Sequence, residues 1–278
     1  MVFFLYSNKA YEHQAIACIK SLSNKIADDV KIVYYTIDFR SDFEFTNLVK
    51  IKIPLKPQYP TFHYYKAELS LLTMDLFPNE YYMFSDTDIL YSKRFSFDDL
   101  KHNLSYPKAS FGPHEYPFMW ELDSKGERVI LDETRLMKYL NVNQRSQRYV
   151  WSCVYTFNSN CRDFFEEYSS LCNYTYLLDK RWYYYPMHDE TPFNVCLWKR
   201  NATENLGYAF LNTHSPSAVK LVEENIIKDR NLNSNIDELG NDWEYIYDSE
   251  QIIAYHGFKT PDTTNQTLDY LLKSYENN

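Results

Sequence analysis

Tyr81-Tyr82-Met83-Phe84-Ser85-Asp86-Thr87-Asp88-Ile89-Leu90 runs an apolar, aromatic segment straight into two carboxylates one residue apart. Tyr81 to Ser85 reads as a short buried strand, since aromatic side chains fit a pleated surface and the run is too short for a helix. Upstream, Lys66 to Phe77 has helical spacing, with Leu69, Leu72, Met74 and Phe77 as its apolar set and Pro78 as its stop. Further back, Val49 to Ile53 is a strand closed by Pro54, and Lys31 to Ile37 is a β-branched strand. Ala10 to Leu22 is helical, with Ala15, Ile16, Ile19 and Leu22 on one face, and residues 2–6 form a buried strand. Strand and helix thus alternate over the first ninety or so residues. That pattern predicts an α/β chain with a mostly parallel central sheet and flanking helical crossovers.

Downstream the pattern is less regular. Phe111 to Trp120 is aromatic and carries prolines, without clear periodicity. Val150 to Asn158 predicts a strong strand, Arg162 to Cys172 a helix, and Pro192 to Lys199 the start of another. Asn231 to Asp242 is polar and loop-like, Ile252 to His256 is a late strand, and Thr267 to Tyr275 predicts a terminal helix. No repeat and no long polar linker interrupts the chain, so residues 1–278 are expected to form one domain. Its regular half covers 1–110 and its irregular half 111–278.

The net charge is −9, which argues against a general nucleic-acid binder. With 5 Gly, the chain has no Gly-x-Gly-x-x-Gly and no Walker A sequence, which disfavours a dinucleotide enzyme or a P-loop kinase. The 27 Tyr can either stack on sugars or replace Phe and Leu at half-buried positions. Five scattered cysteines without a Cys-x-x-Cys pair fit a reduced, cytoplasmic chain better than a disulfide framework or a zinc site. The apolar start is too short for a span and lacks the features of a signal peptide, and no transmembrane segment is expected elsewhere.

Three groups of residues carry chemistry. Asp86 and Asp88 stand just past a strand, where ligands of open α/β sheets bind. Hard divalent cations take oxygen ligands and can bridge a diphosphate, so one or both carboxylates can serve as metal ligands; the plainer reading is an acidic turn. His256 follows the late strand, with Gly257 and Lys259 after it. Its imidazole can complete a manganese site, or it can be a buried histidine bonded to backbone. Gly257 would permit close approach to a phosphate, and Lys259 would neutralise charge on a diphosphate leaving group. In His188-Asp189-Glu190-Thr191-Pro192, the carboxylates either cap a helix or accept hydrogen bonds from sugar hydroxyls beside the aromatic Trp182 to Tyr185.

The order strand, Asp-x-Asp, central strand, acidic segment and His-Gly-x-Lys resembles the GT-A glycosyltransferases. It is most similar to the retaining branch that includes glycogenin and the lipooligosaccharide galactosyltransferases. The resemblance implies that Asp86, Asp88 and His256 hold Mn2+ (or Mg2+), and that Asp86, Gly257 and Lys259 bind the donor diphosphate. The acidic segment is similar to that of ABO-type transferases, which implies donor-sugar binding by Asp189 and a catalytic role for Glu190. Tyr6, Ser7 and Asn8 end the first strand, where such folds receive the nucleotide base, and Asp38 ends the second. Lys66 is the nearest match to an Arg on the helix before the Asp-x-Asp strand; it can reach the donor or be an ordinary exposed helix lysine. The activity implied is transfer of a sugar from a nucleoside-diphosphate sugar, a UDP-sugar, to a glycan or other hydroxyl acceptor. The alternatives are a sugar nucleotidyltransferase and a non-catalytic carbohydrate-binding protein on the same fold.

Overall fold

The computed structural model describes residues 1–22, 26, 29–57, 59, 62–91, 97–111, 120–122, 128–130, 141–142, 150–177, 189–202, 204, 206, 209–212 and 252–256. The helix expected over Thr267 to Tyr275, the polar stretch 231–242, and the aromatic stretch apart from Phe111 and Trp120 lie outside the described residues.

The first elements of the chain are β1 (Val2–Ser7), α1 (Glu12–Lys20), β2 (Lys31–Ile37), β3 (Leu48–Ile53), α2 (Tyr65–Leu76) and β4 (Tyr81–Ser85). Then come β5 (Ile89–Tyr91), β6 (Lys108–Phe111), β7 (Trp120–Leu122), β8 (Arg128–Ile130), β9 (Val150–Asn158) and α3 (Arg162–Leu177). The chain continues through α4 (Glu190–Lys199), β10 (Ala209–Asn212) and β11 (Ile252–His256). Six strands form a mixed sheet in the order β3-β2-β1-β4-β9-β6, three form a sheet in the order β10-β11-β5, and β7 pairs with β8. Pairs β1–β2 and β2–β3 are parallel, and β6–β9 is antiparallel. The sequence missed β5, β6, β7, β8 and β10, which have at most four residues each, too few to display a period.

Two compact units make up the chain. The first comprises Met1–Pro54, Phe84–Leu100 and Gly207–Asn278. Every residue of β1 is buried, and all of β2 except Lys31. This is the burial expected of parallel strands covered on both faces, and it explains their unbroken apolar runs. β3 stands at the sheet edge with Lys50 and Lys52 along it, a composition that discourages pairing with a further strand. α1 packs on β1 and β5. Of the expected face, Ala15, Ile19 and Leu22 are buried and Ile16 is half-buried, and Gln14, Ala17 and Cys18 are buried beside them. Small side chains let the helix lie close to the strands, and the Gln14 carboxamide oxygen accepts a hydrogen bond from Thr87 at 3.4 Å.

The second unit comprises Leu55–Met83 and Lys101–Leu206. Helix α2 packs on α3, and α3 on α4. Rings fill its core: Phe157 lies 4.4 Å from Phe165 between centroids, and Tyr155 lies 5.1 Å from Phe193. Two of the tyrosine hydroxyls here find protein hydrogen-bond partners. Tyr82 donates to the Phe77 carbonyl at 2.6 Å, and Tyr155 shares a hydrogen with Ser70 at 3.0 Å. Tyrosine therefore serves these sites as a core residue with a polar end to satisfy.

The buried face of α2 is not its apolar set. Lys66, Ser70 and Thr73 are buried with Leu69 and Met74, whereas Leu72 and Phe77 are half-buried. Ser70 and Thr73 can be inside because each hydroxyl bonds back along the helix, to the carbonyls of Lys66 (2.8 Å) and Leu69 (2.6 Å). α4 starts at Glu190, two residues before the expected Pro192, which sits within the first turn where its missing N–H is not needed. Asn194 then ties this helix to β9. Its Oδ1 accepts from the Val150 N–H at 2.8 Å, and its Nδ2 donates to the Val150 carbonyl at 2.9 Å and to the Glu190 carbonyl at 2.9 Å.

Asn194→Ala is expected to leave both Val150 backbone groups without these bonds and to cost about 2–3 kcal/mol. Urea unfolding checks this: the midpoint should fall at constant slope, and an unchanged midpoint would show that the amide clamp is dispensable.

Candidate functional site

In the first unit, the three residues Asp86-Thr87-Asp88 connect β4 to β5. Asp88 is 7% exposed, and Asp86 is half-buried. The turn is held from beneath. Ser85 Oγ donates to the Asp86 carbonyl at 2.9 Å, and the Cys18 thiol of α1 lies 3.8 Å from the same carbonyl. Burial, with the Asp88 and Asp86 carboxylates adding to it, pushes the Cys18 thiol up to about 12, so it stays protonated. A thiol in that state is a hydrogen-bond donor and a filler, not a nucleophile.

β5 in turn pairs antiparallel with β11, and the register sets His256 opposite Ile89, the residue after Asp88. Directly opposed residues in such a pair have Cα atoms about 4.5–5.5 Å apart. Two segments some 170 residues apart in the chain are thereby brought together at the backbone. Two carboxylates and an imidazole form a donor set that suits Mn2+ or Mg2+. Among the described residues, no group of three or more His, Cys, Asp or Glu is gathered for a metal; His256 is placed here by its backbone alone. Gly257 and Lys259 lie outside the described residues.

The residues at the ends of β1 and β2 are each engaged locally. Tyr6 stacks on Phe84, with centroids 5.9 Å apart and planes at 29°, two residues before Asp86. Ser7 Oγ pairs with Tyr34 Oη at 2.6 Å. Asn8 Oδ1 accepts from the Tyr11 N–H at 3.3 Å, as a cap for the turn that leads into α1. Asp38 has φ 60°, a left-handed conformation that aspartate tolerates better than most residues, and its carboxylate lies 3.7 Å from Lys52 Nζ.

The second unit holds a buried ion pair. Lys66 Nζ lies 3.0 Å from Asp189 Oδ2, with side-chain exposures of 2% and 4%. The reading of Lys66 as an exposed helix lysine is corrected: α2 turns it inward, where Nζ also donates to the Ser152 carbonyl (3.2 Å) and Oγ (3.4 Å). Ser152 Oγ donates to Asp189 Oδ2 at 2.5 Å, and Tyr168 Oη donates to the same oxygen at 3.4 Å. His63 Nδ1 lies 3.6 Å from Asp189 Oδ1. Burial alone would raise the Asp189 carboxyl, but the Lys66 ammonium, then His63 and the Ser152 hydroxyl, outweigh it and hold the group below the ordinary carboxylate range.

Asp189 therefore does not cap the helix it precedes: its side chain makes no capping bond, and the carboxylate is spent on Lys66 and Ser152. Glu190 opens α4 directly after it. Ser152, Tyr168 and His63 are the members of this site that sequence reasoning did not find. Ser152 and Tyr168 sit on elements recognised from the sequence and His63 on a short turn that was not, and nothing in one sequence marks a serine within a buried strand as the partner of an aspartate 37 positions on.

This α/β architecture, with an acidic turn leaving a sheet strand, is a mixed and mostly parallel six-stranded sheet flanked by helices, a fold consistent with the GT-A-like one expected. Among solved structures the chain is similar to the apo form of the bifunctional glycosyltransferase WbbM, with a TM-score of 0.59 and 12% identity. The match covers 99% of this chain and 51% of that one, so this chain spans about half the length of that protein. At such identity the likeness is one of fold. No protein-family model matches the sequence, and no curated protein matches it. Among the described residues no helix is long and apolar enough to cross a membrane, and the five cysteines are buried and form no disulfide.

Because the folded-state pKa of Asp189 is depressed, its stabilisation is complete above the unfolded value of about 3.9 and is lost as pH falls through the folded value. Acid unfolding should therefore show a limb that Asp189→Asn flattens, while that variant loses about 3–5 kcal/mol near neutrality by stranding Lys66. An acid limb identical in the variant would show that other carboxylates carry it.

Proposed function

We propose that the protein is a metal-dependent glycosyltransferase. It would move a sugar from a UDP-sugar to a hydroxyl on a glycan or other acceptor, with retention of configuration at the sugar carbon. The observation that carries this reading is the β5–β11 register, which brings His256 beside the Asp86-Thr87-Asp88 turn. A helix-capping turn and an unrelated core histidine have no reason to meet, whereas a donor site built on an Asp-x-Asp and a late histidine requires it. The GT-A-type fold supports the same reading.

In this proposal Asp86, Asp88 and His256 would hold Mn2+ or Mg2+. When bound, the cation supplies Lewis acidity at the diphosphate and offsets charge on the leaving group. Lys259 adds a further positive charge there, and Gly257 lets the backbone approach a phosphate. Asp189, kept ionised by Lys66, orients the donor sugar by accepting a hydroxyl hydrogen. Glu190 faces positive charge developing at the sugar carbon and stabilises it. The bonds of Asn194 to Val150 tie α4 to β9 and support the seat of the backbone at Asp189 and Glu190.

A thermal-shift and hydrolysis panel with UDP-glucose, UDP-galactose, UDP-N-acetylglucosamine and UDP-N-acetylgalactosamine, with and without Mn2+, tests the reading. The expected result is a manganese-dependent rise in Tm with one donor and slow release of UDP. Asp88→Ala should abolish that release and keep a cooperative thermal transition. Full turnover in Asp88→Ala, or no shift with any nucleotide sugar, would overturn the assignment.

A further inference from the structure

The two oxygens of Asp189 are not equivalent. Oδ2 is committed to Lys66, Ser152 and Tyr168. Beside Oδ1, among the described residues, stands the His63 imidazole, with Nδ1 at 3.6 Å, too far for a direct hydrogen bond. His63 belongs to a single 3-10 turn, Phe62–Tyr64, immediately ahead of α2. Its side chain is 45% exposed, against 4% for Asp189. The locked oxygen thus points into the unit, and the other meets a ring that reaches solvent.

A nitrogen and an oxygen 3.6 Å apart can both lie within hydrogen-bond distance of a third atom between them. A hydroxyl suits that position: its hydrogen goes to the carboxylate, and its oxygen accepts from the ring N–H. Water could take the place in the free protein. A sugar hydroxyl would replace it with no loss of bonds. A carboxylate or phosphate would be repelled by Asp189, and an ammonium would be repelled by Lys66 close behind it. The chemistry therefore suits a neutral hydroxyl, such as a sugar carries.

We propose that His63 is a binding residue of the donor-sugar site, donating from Nδ1 to one sugar hydroxyl while Asp189 Oδ1 accepts the hydrogen of that same hydroxyl. This inference rests on the transferase reading above and extends it to a residue on α2's leading turn. It also accounts for the arrangement of the network: Lys66, Ser152 and Tyr168 fix the carboxylate from behind, so that a single oxygen is left for the ligand.

The test uses the full chain with the UDP-sugar found in the donor panel, in wild type, His63→Ala, His63→Asn and His63→Gln. His63→Ala should raise donor KM on the order of tenfold, with kcat within about twofold and Tm within about 2 °C, as loss of a uniform binding contact does. His63→Asn, whose amide N–H reaches the Nδ1 position, should recover most of the loss, and His63→Gln should not. A set of 2-, 3-, 4- and 6-deoxy donors should identify one hydroxyl whose removal is penalised in wild type and not in His63→Ala. Wild-type kinetics in His63→Ala, equal impairment in the Asn and Gln variants, or an unchanged deoxy penalty at every position would each overturn the proposal alone. Absence of donor turnover by the wild-type chain would instead overturn the transferase reading, and this proposal with it. Should the alanine variant fail to fold, the Asn–Gln comparison decides by itself.

Discussion

A lysine ammonium and an aspartate carboxylate have been taken out of water together in the second unit, and much of that unit is arranged around the cost. Lys66 and Asp189 are both nearly inaccessible. Each ion would be expelled from such a place unless its remaining hydrogen-bonding capacity were met. β9 supplies the Ser152 hydroxyl and carbonyl, α3 supplies Tyr168, and the α4 amide of Asn194 keeps the helix start seated on β9. A pair with so many partners is a poor source of net stability but a strict positional constraint. It fixes the lead of α4, and with it the backbone of Glu190.

The same constraint explains why α2 buries polar residues. Lys66, Ser70 and Thr73 recur at helical spacing on the inner face. Ser70 and Thr73 satisfy themselves on the helix backbone, and Tyr155 joins Ser70 from β9. The face is polar by residue type and saturated by bonding, so it packs as an apolar face does. The aromatic rings of α3, α4 and β9 complete the packing around it.

In the first unit the governing constraint is a strand register. A one-residue slip between β5 and β11 would change which residue stands opposite His256 and turn one strand over relative to the other. α1 secures the near side of that turn through Cys18, and Ser21 accepts the Tyr91 N–H at 3.0 Å, so β5 is pinned at its far end as well. Short strands carry little pairing energy of their own; anchoring by side chains from a neighbouring helix compensates.

The longer elements were legible in the sequence because their periodicity is a direct consequence of burial. β1, β2, β4 and β9 are continuous apolar runs, and α3 and most of α2 repeat at helical spacing. The nomination of Asp86, Asp88, His256 and Asp189 was legible too, since carboxylates and imidazoles directly after apolar strands, or beside a helix start, are chemically conspicuous. What the sequence could not convey is which of these groups meet. His63 looks like an ordinary turn residue, Ser152 is hidden within a strand, and Lys66 reads as solvent-facing until α2 is rotated by its packing on α3. Periodicity records how a residue relates to its own element. Pairing across elements depends on register and helix rotation, which are fixed by many weak contacts at once and leave no local mark in the chain.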